Sequence, residues 1–173
     1  MLVFLLGGAR CGKSELAVRL ASQQTAPVVF VATGEAGDGE MAERIALHRR
    51  ERPAGWRTVE EPRELGAAVA AADAAACLVV DCLSLWVSNL LEHQPPDEIE
   101  RGAGEVVAAI RARSGTTIVV SNEAGLGLVP LSELGRTWRD LMGRVNTIFS
   151  TAADRAFLVV AGRALALEDA PEI

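Results

Sequence analysis

Five runs of buried character punctuate the chain, at Leu2–Leu6, Val28–Ala32, Cys77–Val80, Thr116–Val120 and Ala156–Val160. None alternates strictly between apolar and polar residues, the pattern expected of strands covered on both faces of a parallel sheet. Helical spacing fills the intervals. It runs from Ser14 to about Gln24, with Leu16, Ala17 and Leu20 on one face, and from Asp38, a possible N-cap, to Glu51, where Pro53 stops it. Further helices are expected over Pro62 to Ala76 and Leu83 to His93, then from a cap at Asp97 to about Arg113. The last spans Leu131 to about Asp154 on a stripe of Trp138, Leu141, Val145 and Ile148. Trp56 to Glu60 reads as a short edge strand, and the tail after Gly162 either folds back as an edge element or frays. Strand followed by helix, repeated along 173 residues, predicts one α/β domain: a three-layer nucleotide-binding fold with a mostly parallel central sheet.

The turn after the first run gives that sheet a ligand. Gly7-Gly8-Ala9-Arg10-Cys11-Gly12-Lys13-Ser14 is a complete Gly-x-x-x-x-Gly-Lys-Ser phosphate loop, with a strand before it and a helix after it. Its backbone N–H groups can converge on phosphate oxygens, Lys13 reaches the β/γ-phosphates, and the Ser14 hydroxyl is placed to ligate Mg²⁺. The motif identifies a nucleotide and leaves the reaction open.

Composition narrows the setting. A net charge of −6 argues against non-specific nucleic-acid binding, and no apolar run is long enough for a membrane span. The five-residue N-terminal run is too short for a signal peptide, so a soluble cytoplasmic protein is expected. Cys11, Cys77 and Cys82 show neither disulfide nor zinc spacing. Cys11 is either a tolerated small residue or a nucleophile activated by neighbouring cations.

Against this acidic background one cationic cluster stands out. Arg44, Arg49, Arg50 and Arg52 surround His48, one of only two histidines; the other, His93, reads as a surface residue. Nearby cations disfavour imidazolium, so His48 is a candidate neutral nucleophile beside arginines able to hold a polyphosphate; the alternative is a packing histidine. Thr33 ends the second strand on the ligand side and is either a site residue or part of a turn. Glu60 and Glu61 bring carboxylates to the end of the edge strand. Asp81 follows the third buried run, where it serves either as the acid that helps hold Mg²⁺ or as the N-cap of the next helix. The glycine-punctuated loop Ser121 to Pro130 suits a lid or a substrate contact.

Taken together, Gly-Gly-Ala-Arg-x-Gly-Lys-Ser at the N-terminus, Glu40-Met41-Ala42 leading to Arg44-Ile45-x-x-His48, Arg52-Pro53-x-x-Trp56-Arg57-Thr58 and the Asn122 to Pro130 loop resemble one family. It is the bifunctional adenosylcobinamide kinase / adenosylcobinamide-phosphate guanylyltransferase family of cobalamin assembly. The resemblance implies two reactions: ATP or GTP phosphorylates adenosylcobinamide, and GTP then donates GMP to that phosphate through His48. It implies nucleotide contacts at Gly7 to Ser14, at Ala32, Thr33 and Gly34, at Arg49, Arg50, Glu51 and Arg52, at Glu60 and at Asp81. A guanine preference and a homo-oligomer, a trimer, are also implied. Where some relatives carry a second histidine before the nucleophile this chain has Leu47, and where some carry glutamate it has Asp81, which leaves open whether Asp81 meets the metal directly or through water. Two rival readings are a simple small-molecule kinase and a nucleotide switch; no Asn-Lys-x-Asp guanine-reading segment supports the second.

Overall fold

The computed structural model describes residues 1–35, 37, 39–50 and 52–169; the side chains of Glu40, Met41, Arg44 and His48 lie outside that description. Its strands are β1 (Leu2–Gly7), β2 (Val28–Ala32), β3 (Arg57–Glu60), β4 (Cys77–Asp81), β5 (Thr117–Asn122), β6 (Arg155–Val160) and β7 (Arg163–Leu167). The helices are α1 (Lys13–Ala21), α2 (Gly39–Arg50), α3 (Leu65–Ala71), α4 (Leu83–Leu91), α5 (Pro96–Arg111) and α6 (Glu133–Ala152). All seven strands join one sheet in the order β3-β2-β4-β5-β1-β6-β7, parallel except for β7.

Strand pleating sends alternate residues to two separate cores, which is why the runs are apolar throughout. Leu2, Phe4, Val29, Val31, Leu78, Val80 and Val119 pack under α3 to α6, where Phe4 stacks on Phe149 with ring centroids 6.2 Å apart. Val3, Leu5, Val28, Phe30, Val79, Ile118 and Val120 pack with Ala17 and Ala21 of α1 on the opposite face. The result is the expected three-layer α/β arrangement. Because the strands run parallel, their C-terminal ends meet at one edge: Gly7 is in register with Asn122, and Ala32 with both Glu60 and Asp81.

Several boundaries differ from the expectations, each for a local reason. The helix expected over Pro62 to Ala76 is only Leu65–Ala71. At its start the Glu61 carboxylate accepts from the N–H groups of Arg63 and Glu64; at its end the Arg113 guanidinium donates to the carbonyls of Val69, Ala72, Asp73 and Ala76. Both hold turns in place of helix. Asp97 falls in the first turn of α5 rather than at its cap, which is Pro95. Strand β6 begins at Arg155, just after Asp154, whose carboxylate accepts from Leu2 N at 2.6 Å and Arg111 at 2.9 Å. The Leu2 bond, then Arg111, hold that carboxyl below its ordinary value. The tail does fold back, because Ala161 and Gly162 both take positive φ, 49° and 76°, the two-residue turn whose twist suits a hairpin.

Candidate functional site

The phosphate loop is shaped by two glycines that no other residue could replace. A Cβ at Gly7 would collide with the Val159 carbonyl of β6, and Gly12 takes φ 97° as it hands the chain to α1. Gly162, from the β6–β7 turn, closes one side by donating to Cys11 O at 2.9 Å. Lys13 is 6% exposed, and its Nζ donates to the carbonyls of Gly7 at 2.9 Å and Gly8 at 2.6 Å. A buried ammonium is thereby held at the mouth of the loop, where an anion's charge would meet little screening.

Across from the loop, Asp81 ends β4 half-buried and does not cap α4; that position belongs to Cys82. The N-cap alternative for Asp81 is therefore removed. The Cys82 thiol is pushed up to about 11 by burial and by neighbouring Asp81, so it is protonated at neutral pH. Thr33 is fully buried: its hydroxyl donates to Cys82 O at 2.7 Å and accepts from Cys82 N at 2.8 Å. Pleating explains the difference within the Ala32-Thr33-Gly34 triplet, since Ala32 and Gly34 face the cavity while Thr33 points away from it. Thr33 fixes the backbone beside Asp81. Thr33→Val leaves Cys82 N unpaired, while Cys82 O keeps the Trp86 N–H at 3.2 Å, and is expected to destabilise the fold by about 1–3 kcal/mol, read by urea denaturation, with Thr33→Ser recovering most of the loss.

These elements enclose a cavity of about 780 Å³ at the C-terminal edge of the sheet. The loop from Ala9 to Ser14 lines it, with Asp81 and Glu60 beyond. Helix α2 contributes Ala42, Ile45, Ala46 and Arg49, one face by their i, i+3, i+4 and i+7 spacing. Arg49 pairs with Glu60, whereas Arg50 turns aside to its own helix, Nε donating to Ala46 O at 3.3 Å. Arg52 lies over the Phe30 ring, 3.9 Å from its centroid. Its Nε and Nη1 are buried without a hydrogen-bond partner among the described residues. Burial lowers the Arg52 pKa, Asp81 and Glu60 oppose that, and Arg49 adds to it; a guanidinium stays charged throughout. Arg52 lines the cavity, and its cation beside the phosphate loop fits an anionic ligand.

The sequence-derived set thus converges, with qualifications. Gly7 and Gly8 act through their carbonyls behind the cavity wall. Glu51 and the side chain of His48 lie outside the described residues, although the backbone of His48 immediately precedes Arg49 on α2. Asn122, from the loop expected to make a lid or substrate contact, also lines the cavity, as do Phe30 and Leu85, which were missed. Asn122 had a legible signal, being polar at the end of a buried run; Phe30 and Leu85 had none, since both read as core. In the loop after β5, Leu126, Leu128, Val129 and Leu131 are exposed, as is Leu134 on α6. A second groove of about 450 Å³ runs between α3, α4 and α5, away from the phosphate loop. No helix among the described residues is long and apolar enough to cross a membrane.

Comparison with known proteins gives a consistent set of likenesses. The family described as cobinamide kinase / cobinamide phosphate guanyltransferase matches residues 3–167. The chain is 45% identical to the bifunctional adenosylcobalamin biosynthesis protein CobP of Pseudomonas aeruginosa, covering 96% of this chain and 97% of that one. It is 38% identical to CobU of Salmonella typhimurium and 36% to CobU of Escherichia coli, in each case over 94% of this chain and 97% of the relative. Among solved structures, an ATPase of a bacterial type III secretion system superposes with a TM-score of 0.60 at 13% identity, covering 91% of this chain and 51% of the ATPase. A protein from Pyrococcus horikoshii OT3 superposes with a TM-score of 0.56 at 9% identity, covering 95% and 84%. At such identities the likeness concerns the fold.

Proposed function

The chain belongs to the cobinamide kinase / cobinamide phosphate guanyltransferase family, and from that premise we propose that it carries both reactions on one domain. ATP or GTP phosphorylates the terminal hydroxyl of adenosylcobinamide; GMP from GTP then passes through His48 to the new phosphate, giving adenosylcobinamide-GDP. The observation that carries this reading is the convergence, around one cavity, of the phosphate loop, Asp81, Arg49 and Arg52.

In the kinase step the substrate hydroxyl attacks the γ-phosphorus, and Lys13 and the loop N–H groups carry the charge of the departing diphosphate. In the second step a neutral His48 nitrogen attacks the α-phosphorus, an N–P bond forms, the bond to the β-phosphate oxygen breaks, and pyrophosphate leaves. An oxygen of cobinamide phosphate then attacks the same phosphorus and displaces the imidazole, restoring His48. Arg49 and Arg52 hold the polyphosphate during this exchange.

The half-buried Ser14 hydroxyl and Asp81 carboxylate line the cavity and are hard oxygen donors, the type that suits Mg²⁺. Among the described residues no cluster of three or more His, Cys, Asp or Glu could hold a metal by itself. Ser14 and Asp81 would therefore hold Mg²⁺ jointly with nucleotide phosphates, and the ion supplies charge neutralisation at the phosphoryl oxygens.

Incubation with α-labelled GTP tests the reading. The protein is expected to retain the label through denaturation, to lose it in acid and to keep it in base, as a phosphoramidate does. No covalent label, with γ-phosphoryl transfer to adenosylcobinamide intact, would reduce the activity to that of a simple kinase.

A further inference from the structure

One polar side chain in the cavity has no part in the chemistry described so far. Asn122 ends β5 in register with Gly7 of β1, two residues beyond Val120, which pairs with Asp81. It therefore stands between the phosphate loop and the candidate metal ligand. The Gly7 carbonyl accepts from Lys13 Nζ at 2.9 Å and from Glu123 N at 3.0 Å, which sets the ammonium against the Asn122–Glu123 peptide. In a loop of this type the lysine reaches the β/γ-phosphates. The far end of a bound triphosphate accordingly comes to Asn122.

The carboxamide is held by one side-chain bond, and the backbone that carries it is held by Asn146. Its Nδ2 donates to Ser84 Oγ at 2.8 Å, and that hydroxyl lies 2.9 Å from Cys82 Sγ. From α6, Asn146, only 8% exposed, donates to the Asn122 carbonyl at 3.0 Å and accepts from Ser121 Oγ at 2.6 Å. A carboxamide has two N–H donors and an acceptor oxygen. Only one donor is engaged among the described residues, so the second N–H and Oδ1 are available to a ligand. A group already fixed by its neighbours loses little freedom on engaging one.

We propose that Asn122 contacts the terminal phosphate of the nucleoside triphosphate, donating its second N–H to a γ-phosphoryl oxygen. It thereby separates triphosphate from diphosphate and orients the phosphoryl group for transfer to the hydroxyl. The assignment rests on the nucleotide reading of the same cavity.

Equilibrium binding of the α,β-methylene analogues of GTP and GDP, which cannot guanylylate the protein, tests it in wild type, Asn122→Ala and Asn122→Asp. Asn122→Ala is expected to weaken the triphosphate about 10-fold and leave the diphosphate unchanged, the loss of one hydrogen bond to a charged group. Asn122→Asp keeps a hydrogen bond with Ser84 but turns a negative charge toward the γ-phosphate, so triphosphate binding should fall by at least about 100-fold, again with diphosphate spared. Should the alanine variant unfold, the aspartate variant carries the test. Equal weakening of both analogues, or no change in either, overturns the proposal and leaves Asn122 a structural link between β5 and α4. Wild type that binds neither analogue overturns the nucleotide reading and this proposal with it, a failure told apart by the wild-type measurement alone.

Discussion

In His48→Ala, covalent GMP labelling and guanylyl transfer should fall by at least about 10³-fold, the scale seen when a covalent nucleophile is removed. Phosphorylation of adenosylcobinamide should persist, because that step passes directly from γ-phosphorus to hydroxyl and needs no protein nucleophile. Among the described residues of the cavity, Cys11 is the one reserve nucleophile. The Cys82 thiol is pushed up to about 11 by burial and by Asp81, so it is not a thiolate at neutral pH. Cys11 sits inside the phosphate loop, Sγ 3.6 Å from Lys13 Nζ. Parallel assays with α-labelled GTP and with γ-labelled ATP plus adenosylcobinamide separate the two activities. Wild-type labelling in the variant would remove His48 as nucleophile and leave the basic helix a phosphate-holding face.

Lys13→Ala should instead impair both reactions together, each by about 10²–10³-fold, the usual cost of losing one group that stabilises developing anionic charge. In the proposed mechanism the same ammonium faces the leaving diphosphate in the kinase step and the leaving pyrophosphate in the transfer step. Its removal also takes the Lys13 donor from the Gly8 carbonyl and leaves the Gly7 carbonyl with Glu123 N alone, so thermal unfolding must accompany the kinetics. A fall in both kcat values with the fold intact supports the shared role. If only one activity falls, the two steps do not share one phosphate site. The two variants thus form a pair: one separates the reactions, the other joins them.

Much of the site was legible because its parts are local in sequence. The phosphate loop is one uninterrupted stretch whose function follows from glycine geometry and a following lysine, and β1 and α1 confirm its context. Asp81 could be placed because a buried strand ends there. That β5 continues through Asn122 was not legible, since the residue is polar and the apolar pattern stops at Val120. Ser121 and Asn122 pair with Leu6 and Gly7 of β1, and their side chains are satisfied there by Asn146 on α6 and Ser84 on α4. Thr33 shows the converse limit. Its position suggested a ligand contact, yet its hydroxyl is committed to Cys82, forty-nine residues away.

The sequence by itself determined a parallel α/β sheet, a phosphate-loop motif at the first strand's end and a cationic helix downstream. It could do so because burial on both faces makes strands uniformly apolar, and because the phosphate loop and the arginines are each contiguous. Only the tertiary structure decided which of the candidate residues share a cavity. Strand order set Asn122 beside Gly7, pleating turned Thr33 away while Ala32 faced inward, and Phe30, indistinguishable from core by pattern, became the surface on which Arg52 rests. Those choices depend on contacts between segments far apart in the chain, which hydrophobic periodicity does not encode.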